Sequence, residues 1–169
     1  MRLAVGTVVA YPPHGVGRVA GRERKVVLGV EQETVAIDLA DGLCVTLPLK
    51  RARELVRPLV DEAGLRRVRD TLRAECAVTD EIWSKRLKQA QEKLRTGDPE
   101  ELAAIVRDGV RRDRALTANG TRSKLSLSER ALCTKARELL SGEIRVVRGV
   151  DQATADAWID EQIAPLGDE

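Results

Sequence analysis

The sequence predicts an α+β protein of two domains, a small antiparallel β-barrel over residues 1–55 followed by a compact all-α domain of about five helices over residues 56–169. Three observations predict this. Residues 1 to about 50 are rich in Val and Gly, and turn signals divide them into short segments typical of a strongly bent barrel. From about residue 58, apolar residues recur every three or four positions, as in amphipathic helices. The length of 169 residues suits one domain or two small ones.

The first domain is expected to contain four or five short strands. Pro12-Pro13-His14-Gly15 predicts a turn after the first strand, and Asp41-Gly42 is a strong hairpin signal before the last. Glycines at positions 17, 21 and 29 suggest bends or bulges. Pro48 ends the last segment. The predicted segments are residues 5–11, 16–30, 34–39 and 43–47.

Helix start and stop signals divide the second domain. Thr79 or Asp80 can cap a helix that ends at Gly97, and Asp98-Pro99 is an N-cap followed by proline at the first helical position. Ser126 to Glu129 reads as a capping box, preceded by a polar loop over residues 116–125. Other helices are expected over residues 61–75 and from Asp151 or Thr154. The predicted inward residues are Leu65, Val68, Leu72, Leu102, Ile105, Val106, Val110, Leu132, Ala136, Leu139, Leu140, Ala155, Trp158, Ile159 and Ile163.

Composition excludes several classes of protein. The three cysteines (Cys44, Cys76 and Cys133) are widely spaced and His14 is the single histidine, so neither a zinc site nor a disulfide framework is expected. No apolar run reaches the roughly 18 residues of a membrane helix, and the start of the chain lacks a signal-peptide pattern, so we expect a cytoplasmic protein. With no Phe, one Tyr and two Trp, the chain cannot stack bases as an RRM or a single-strand-binding OB-fold does.

Catalytic signatures are also missing from the sequence. There is no Gly-rich phosphate loop, no GxSxG, and no nucleophile at a diagnostic spacing from His14. We therefore expect a protein that is not an enzyme and that needs no cofactor or metal.

Charge is unevenly distributed although the whole chain carries only +2. Residues 84–148 carry +7 and residues 149–169 carry −6. A basic module is typical of a polyanion-binding protein, whereas a solvated helical face with ion pairs is the structural alternative.

Two groups of side chains are candidates for nucleic-acid contact. In the run Trp83-Ser84-Lys85-Arg86-Leu87-Lys88, an apolar ring adjoins cations that could bind phosphates, as in proteins that wedge a base step. Alternatively, Trp83 begins the apolar stripe of Leu87, Ala90 and Leu94 and belongs to the core. Arg107, Arg111 and Arg114 share one helical side and could meet phosphates, pair with neighbouring acids or line a solvated face. Arg130 and Lys135 are similar but too few to be specific.

These motifs resemble one family. The segment Val5-Gly6-Thr7-Val8-Val9-Ala10-Tyr11-Pro12-Pro13-His14-Gly15-Val16-Gly17 resembles the opening signature of the CarD/CdnL family of bacterial transcription regulators. The run from Trp83 to Arg86, the segments around Gly97-Asp98 and Arg111-Arg112-Asp113, and residues 126–143 resemble the helical domain of that family. The resemblance covers nearly the whole chain. Transcription–repair coupling factors share the first motif, and the Trp-centred helices distinguish the CarD/CdnL family from those factors.

The resemblance implies that the first domain is a Tudor- or SH3-like barrel that docks on the RNA polymerase β subunit by strand pairing. The positions that match the polymerase-contacting surface of the family are Lys25, Val45, Thr46 and Leu47. Thr46 stands where members often carry Arg, a departure that bears on the strength of binding because Thr cannot form forked, charged contacts.

The resemblance further implies that the helical domain contacts promoter DNA at the upstream edge of the transcription bubble. Trp83 matches the wedge residue of the family, and Lys85, Arg86, Lys88 and Arg130 match its basic positions near the DNA backbone. The expected activity is stabilisation of the open promoter complex by a monomer, through the minor groove and phosphates and with weak sequence preference. Localisation would be cytoplasmic and nucleoid-associated through the polymerase.

Two further hypotheses remain open. In the first, the chain is an adaptor whose barrel binds polymerase or another protein and whose helices bind a protein instead of DNA. In the second, it is a free-standing nucleoid protein that does not use polymerase.

Overall fold

The computed structural model describes residues 2–12, 14–75, 82–118 and 125–163. The chain forms two compact units, residues 1–59 and residues 60–169. The first is a curled antiparallel half-barrel and the second is all-helical, which confirms the predicted α+β fold class. The first unit runs past the expected boundary at residue 55, because Val56 is buried in the core of the half-barrel and Arg57 exchanges backbone hydrogen bonds with Ala10 at 2.9 and 3.0 Å.

The sheet of the first unit has strands in the order β1, β2, β3, β4, each antiparallel to its neighbour. A bulge between Val19 and Gly21 lets the long second strand bend. A Cβ at Gly17 would lie 2.7 Å from the Ile37 side chain and 2.9 Å from the Asp38 carbonyl, so only glycine permits this approach of β2 to β3. The strands are β1 (Val8–Tyr11), β2 (Gly15–Val27), β3 (Val30–Leu39) and β4 (Cys44–Pro48).

A short helix, α1 (Leu49–Leu55), follows β4 and was not predicted. Seven residues are too few to show a helical period. Leu49 and Ala52 are buried in the core of the half-barrel with residues of β1, β2 and β3, and side chains of β4 pack against it. The helix thus closes one side of the half-barrel and carries the chain to the second unit. The other buried members of this core are Leu3, Val9, Val19, Val35, Ile37, Leu39 and Val56.

The described part of the second unit contains five helices, as predicted. Asp61 accepts from the Gly64 N–H, and Asp98 accepts from the N–H groups of Glu100 and Glu101, so both helix starts have an aspartate cap. The predicted caps Thr79 and Asp80 lie outside the described residues, and the third helix begins at Trp83 after Ile82. The helices are α2 (Glu62–Arg73), α3 (Trp83–Thr96), α4 (Pro99–Ala118), α5 (Leu127–Arg148) and α6 (Gln152–Ile163).

One apolar cluster joins α2, α4, α5 and α6, and it contains most of the predicted inward residues. Val110 and Trp158 are only partly buried and pack against it. Leu132 is also half-buried. Helices α4 and α5 approach closely where Gly109 faces Cys133, whose thiol has its pKa raised to about 11 by burial. A polar loop was predicted over residues 116–125, but α4 continues to Ala118 and takes up its first three residues. Residues 119–124 of that prediction lie outside the described residues.

Candidate DNA-contacting face and strand edge

Strand β4 lies at one edge of the sheet, and among the described residues no strand pairs with its outer side. The preceding hairpin turns at Gly42, whose φ of +84° suits glycine, and closes with the Leu39 N–H donating to the Leu43 carbonyl at 2.8 Å. Hydrogen-bonded pairs alternate along an antiparallel ladder, so Val45 bonds to β3 whereas Thr46 directs its N–H and C=O to the outer edge. The edge therefore offers the backbone of Thr46 to a strand of another protein.

The side chains of β4 alternate between the two faces of the sheet. Val45 and Leu47 pack against the core of the half-barrel, and Thr46 is exposed. Pro48 occupies a position equivalent to Thr46, where its missing N–H costs the ladder no bond. Of the three β4 residues expected to contact polymerase, only Thr46 thus combines an exposed side chain with outward backbone groups.

Lys25 lies on the same face of the sheet as Thr46. Thr46 pairs with Ala36, and Ala36 pairs with Gly21 on β2. Residues at even spacing along a strand share a face, so Gly21, Glu23 and Lys25 continue that face along β2. The Lys25 ammonium lies 2.9 Å from the Glu23 carboxylate, and both side chains are exposed. An exposed ion pair of this kind is weak and can be exchanged for a partner's carboxylate.

In the second unit, Trp83 is 46% exposed and begins α3, so it is not a core residue. The exposure of Trp83 decides between the core and wedge interpretations. Leu87, Ala90 and Leu94 are partly buried, whereas Trp83 at the start of the same stripe is exposed. Its indole N–H donates to the Ser126 hydroxyl at 3.1 Å. The ring is therefore held in one orientation although half of it faces solvent.

Ser126 also caps α5, where the predicted capping box is present. Its hydroxyl donates to Glu129 Oε2 at 2.8 Å and accepts from the Glu129 N–H at 3.2 Å. Together with the Trp83 bond, these contacts use the one donor and both lone pairs of the hydroxyl. Ser126 thus couples the start of α5 to the indole ring.

Arg86 makes a second link between α3 and α5. Its guanidinium lies 3.1 Å from Glu129 Oε1, and both side chains are largely covered, at 19% and 15% exposed. Burial raises the pKa of Glu129, but hydrogen bonds from Ser126 and Arg86 outweigh it and hold that pKa below the usual carboxyl range. Glu129 is therefore ionised at neutral pH and Arg86 is committed to it.

The remaining predicted cations of this face are exposed. Lys85 and Lys88 lie on α3 beside Trp83, and Arg130 lies on the first turn of α5. The links from Trp83 and Arg86 to the α5 cap hold the start of α3 beside α5. At about 100° a residue, Lys85 and Lys88 project from the sides of α3 turned away from this contact. We call the exposed group of Trp83, Lys85, Lys88 and Arg130 the basic wedge face.

One expectation is confirmed for Arg107, which pairs with its neighbour Asp108 at 2.7 Å. Arg107, Arg111 and Arg114 also share a contact that no expectation included. Each donates to a backbone carbonyl in the last turn of another helix, where the carbonyls carry the negative end of the helix dipole. These arginines therefore tie α4 to the ends of α2 and α6. The bonds run from Arg107 to Thr71 at 3.1 Å, from Arg111 to Arg73 at 3.2 Å and from Arg114 to Ile163 at 3.2 Å.

Two features of the site were missed by the sequence reasoning. Ser126 was interpreted only as a cap, and Leu127 was not considered, yet Leu127 is 83% exposed beside the basic wedge face. The sequence did carry a signal for Leu127. It is an apolar residue at the first position of α5, whereas the inward-facing residues predicted for that helix begin at Leu132. Among the described residues, no group of three potential ligands could hold a metal ion. No helix in the described part of the chain is long and apolar enough to cross a bilayer.

Comparison with known proteins gives matches over both units. Residues 67–160 match the profile of the CarD C-terminal domain, and residues 3–60 match that of the CarD-like/TRCF RID domain. The chain is 27% identical over 154 residues to YdeB, a candidate transcription factor of Bacillus subtilis (strain 168), covering 88% of the chain and 94% of YdeB. The solution structure of the N-terminal domain of Myxococcus xanthus CarD is 36% identical, with a TM-score of 0.30, over 34% of the chain and 79% of that domain.

Proposed function

The chain belongs to the CarD family, whose C-terminal domain profile spans more than half of it, and from this membership we propose that it stabilises the open promoter complex as a non-catalytic regulator docked on RNA polymerase. Members of this family are regulators of transcription. In the proposed activity, the barrel binds the polymerase β subunit and the helical unit contacts promoter DNA at the upstream edge of the bubble.

The observation that carries the proposal is the exposed but oriented ring of Trp83. A ring that inserts at an opened base step must be accessible, yet it gains most if its orientation is already fixed, because ordering a side chain on binding costs free energy. The Ser126 hydroxyl supplies this orientation. Exposed Lys85, Lys88 and Arg130 add positive charge on α3 and α5 that suits phosphates.

Docking on polymerase is supported by the outer edge of β4. Thr46 offers one N–H and one C=O for strand pairing, and Lys25 adds a cation on the same face. Because Thr replaces the Arg common at this position in the family, we expect docking through backbone pairing with a smaller charged contribution.

A protein adaptor is the second candidate, favoured by the apolar character of the wedge face. Ile82 is 76% exposed beside Trp83, and an apolar patch of this kind also suits a protein surface. The charge of the face separates the two functions, because only a polyanion partner makes binding depend strongly on salt.

The distinguishing experiment is a Trp83 fluorescence titration with forked promoter DNA at several salt concentrations, in a Trp158→Phe background that leaves one indole. We expect weak binding that tightens at low salt. Lys85→Gln/Lys88→Gln should lower the slope of log affinity against log salt by about two, one for each lost phosphate contact. The control Lys50→Gln/Arg53→Gln removes the same charge from exposed positions of α1 and should leave the slope unchanged. No salt-dependent binding even at low salt would favour the adaptor.

A further inference from the structure

We propose that Leu127 is a second wedge residue, which enters the opened base step together with Trp83. This inference rests on the proposed function, since it assigns a further DNA-contacting residue to the same face. It is carried by the position of Leu127, by its exposure and by the charge around it.

The position of Leu127 is fixed by the α5 cap. Leu127 is the first residue of α5 and follows Ser126, whose hydroxyl holds the Trp83 indole at 3.1 Å. The isobutyl group and the indole therefore project from neighbouring points. The same cap that orients the ring sets the backbone of Leu127, and in this proposal the two side chains act as one apolar tip.

Packing does not explain a leucine at this position. Leu127 is 83% exposed and does not belong to the helical core cluster, whose α5 members begin at Cys133 and Ala136. The first turn of a helix ordinarily carries polar or acidic residues, which complement its free N–H groups. Residues that break such a preference without adding to the core are expected mainly at functional sites.

Charge around Leu127 favours nucleic acid as the occupant. Leu127 lines a surface depression of about 430 Å³ along α5, which also presents the cations Arg130 and Lys135. Lys135 lies 3.9 Å from Glu138 in an exposed ion pair, which is weak enough for a phosphate to replace the carboxylate. Lys85 and Lys88 lie on α3, the helix that Trp83 begins. An apolar tip near cations fits a base step between phosphates, as in proteins that insert Leu, Ile or Phe to kink a duplex. The depression is lined by Leu127, Arg130, Ala131, Thr134, Lys135 and Glu138.

The test measures open-complex lifetime with polymerase and the full chain on a promoter whose bubble is unstable. Leu127→Ala should shorten the lifetime roughly threefold to tenfold relative to the unchanged protein, the effect of losing part of a leucine contact. Leu127→Met keeps a flexible apolar side chain and should retain most of the lifetime. Val146→Ala, at another exposed apolar position of α5, serves as the control and should have no effect.

The outcomes separate the inference from the function on which it rests. If Trp83→Ala shortens the lifetime and Leu127→Ala does not, Leu127 is no wedge residue and the proposed function stands. If Trp83→Ala itself has no effect while polymerase binding is intact, the wedge function fails and the inference with it. In a Trp83→Ala background, Leu127→Ala should cost less than it does alone, because the two side chains act at one base step. Full additivity would contradict a shared tip.

Discussion

At the scale of single residues, the wedge face depends on one hydroxyl with three partners. Ser126 connects the Trp83 indole, the α5 backbone and the Glu129 carboxylate, and Glu129 in turn holds Arg86. A capping residue ordinarily acts within its own helix. Here its effect extends to the residue proposed to contact DNA, so changes at Ser126 should act on the orientation of Trp83 as well as on stability.

Ser126→Ala tests this connection. Loss of the cap should lower the free energy of unfolding by about 1 kcal/mol, and loss of the indole partner should make Trp83 more accessible to acrylamide. Both can be measured in the Trp158→Phe background, by urea unfolding and by quenching. Ser126→Thr keeps the hydroxyl and is the matched control. Unchanged quenching in Ser126→Ala would show that the hydrogen bond does not hold the ring.

The depressed pKa of Glu129 predicts a pH dependence for the same link. A carboxyl whose folded pKa lies below its unfolded value, about 4.3, contributes stability that is complete above that value and lost as the pH falls through the folded pKa. Acrylamide quenching of Trp83 should therefore be flat from pH 8 to about pH 5 and should rise only in more acidic solution. In Glu129→Gln, quenching should already be high at neutral pH. A rise centred near neutral pH would contradict this assignment.

Gly109 and Cys133 test the close approach of α4 and α5. A Cβ at Gly109 would lie 2.2 Å from the Cys133 sulfur, so Gly109→Ala forces α4 and α5 apart and should cost about 1–3 kcal/mol of unfolding free energy. Gly142→Ala, where nothing lies within 4 Å, should instead stabilise by roughly 0.5–1 kcal/mol. Adding Cys133→Ala removes the clashing sulfur and should recover part of the loss. Equal effects of the two glycine changes, measured by urea unfolding, would rule out the close approach.

At the scale of elements, the edge strand β4 carries the docking proposal. The ladder register turns the Thr46 N–H outward and the Val45 N–H inward, toward β3. A proline at residue 46 should thus leave the half-barrel folded, whereas one at residue 45 would remove a ladder bond.

Thr46→Pro should consequently abolish or strongly weaken binding to the polymerase β subunit, measured by calorimetry or pull-down. Its control, Thr46→Ala, keeps the N–H and should bind nearly as the unchanged protein does. Thr46→Arg introduces the residue common in the family and should tighten binding several-fold, by an amount that falls at high salt. If Thr46→Pro binds with unchanged affinity, docking does not use this edge.

Elements differ in how well the sequence predicts them, and the reason is the range of the interactions that form them. The capping box at Ser126 and the aspartate at position 98 act over three residues, so both were predicted and are confirmed. Helix α1 has no period of its own and forms because Leu49 and Ala52 complete a core made by distant strands.

The site shows the same limit. The cations of the wedge face could be named from their spacing and from the family resemblance, but spacing could not show that Arg86 is committed to Glu129. Nor could it show that Arg107 and its neighbours bind the carbonyl ends of α2 and α6, since those partners lie far away in the chain. Long-range pairing decides which of several basic residues remain exposed.

At the scale of the whole molecule, the distribution of charge favours weak binding to free DNA. Residues 84–148 carry +7, but the acidic segment that follows carries −6. Two carboxylates of α6, Asp156 and Asp160, bind Arg137 on α5, which anchors this negative helix to the basic unit. Docking on polymerase would then supply effective concentration in place of intrinsic affinity.

If the first unit binds polymerase and the second binds DNA, Thr46→Pro should lose polymerase binding only. We expect its affinity for free forked DNA to equal that of the unchanged protein. It should nevertheless lose nearly all effect on the open complex at concentrations where the unchanged protein acts. Fluorescence titration and a promoter-opening assay measure the two quantities on one protein. A Thr46→Pro protein that still acts on promoters at the same concentration would support a free-standing DNA-binding protein.

The most direct test of the central claim is the lifetime of the open complex on a promoter with an unstable bubble, with and without the protein and with Trp83→Ala. We predict that the protein lengthens the lifetime and that Trp83→Ala removes most of this effect, about tenfold for a contact worth 1.4 kcal/mol, while binding to polymerase is unchanged. Equal lifetimes for Trp83→Ala and the unchanged protein, with both bound to polymerase, would contradict the account.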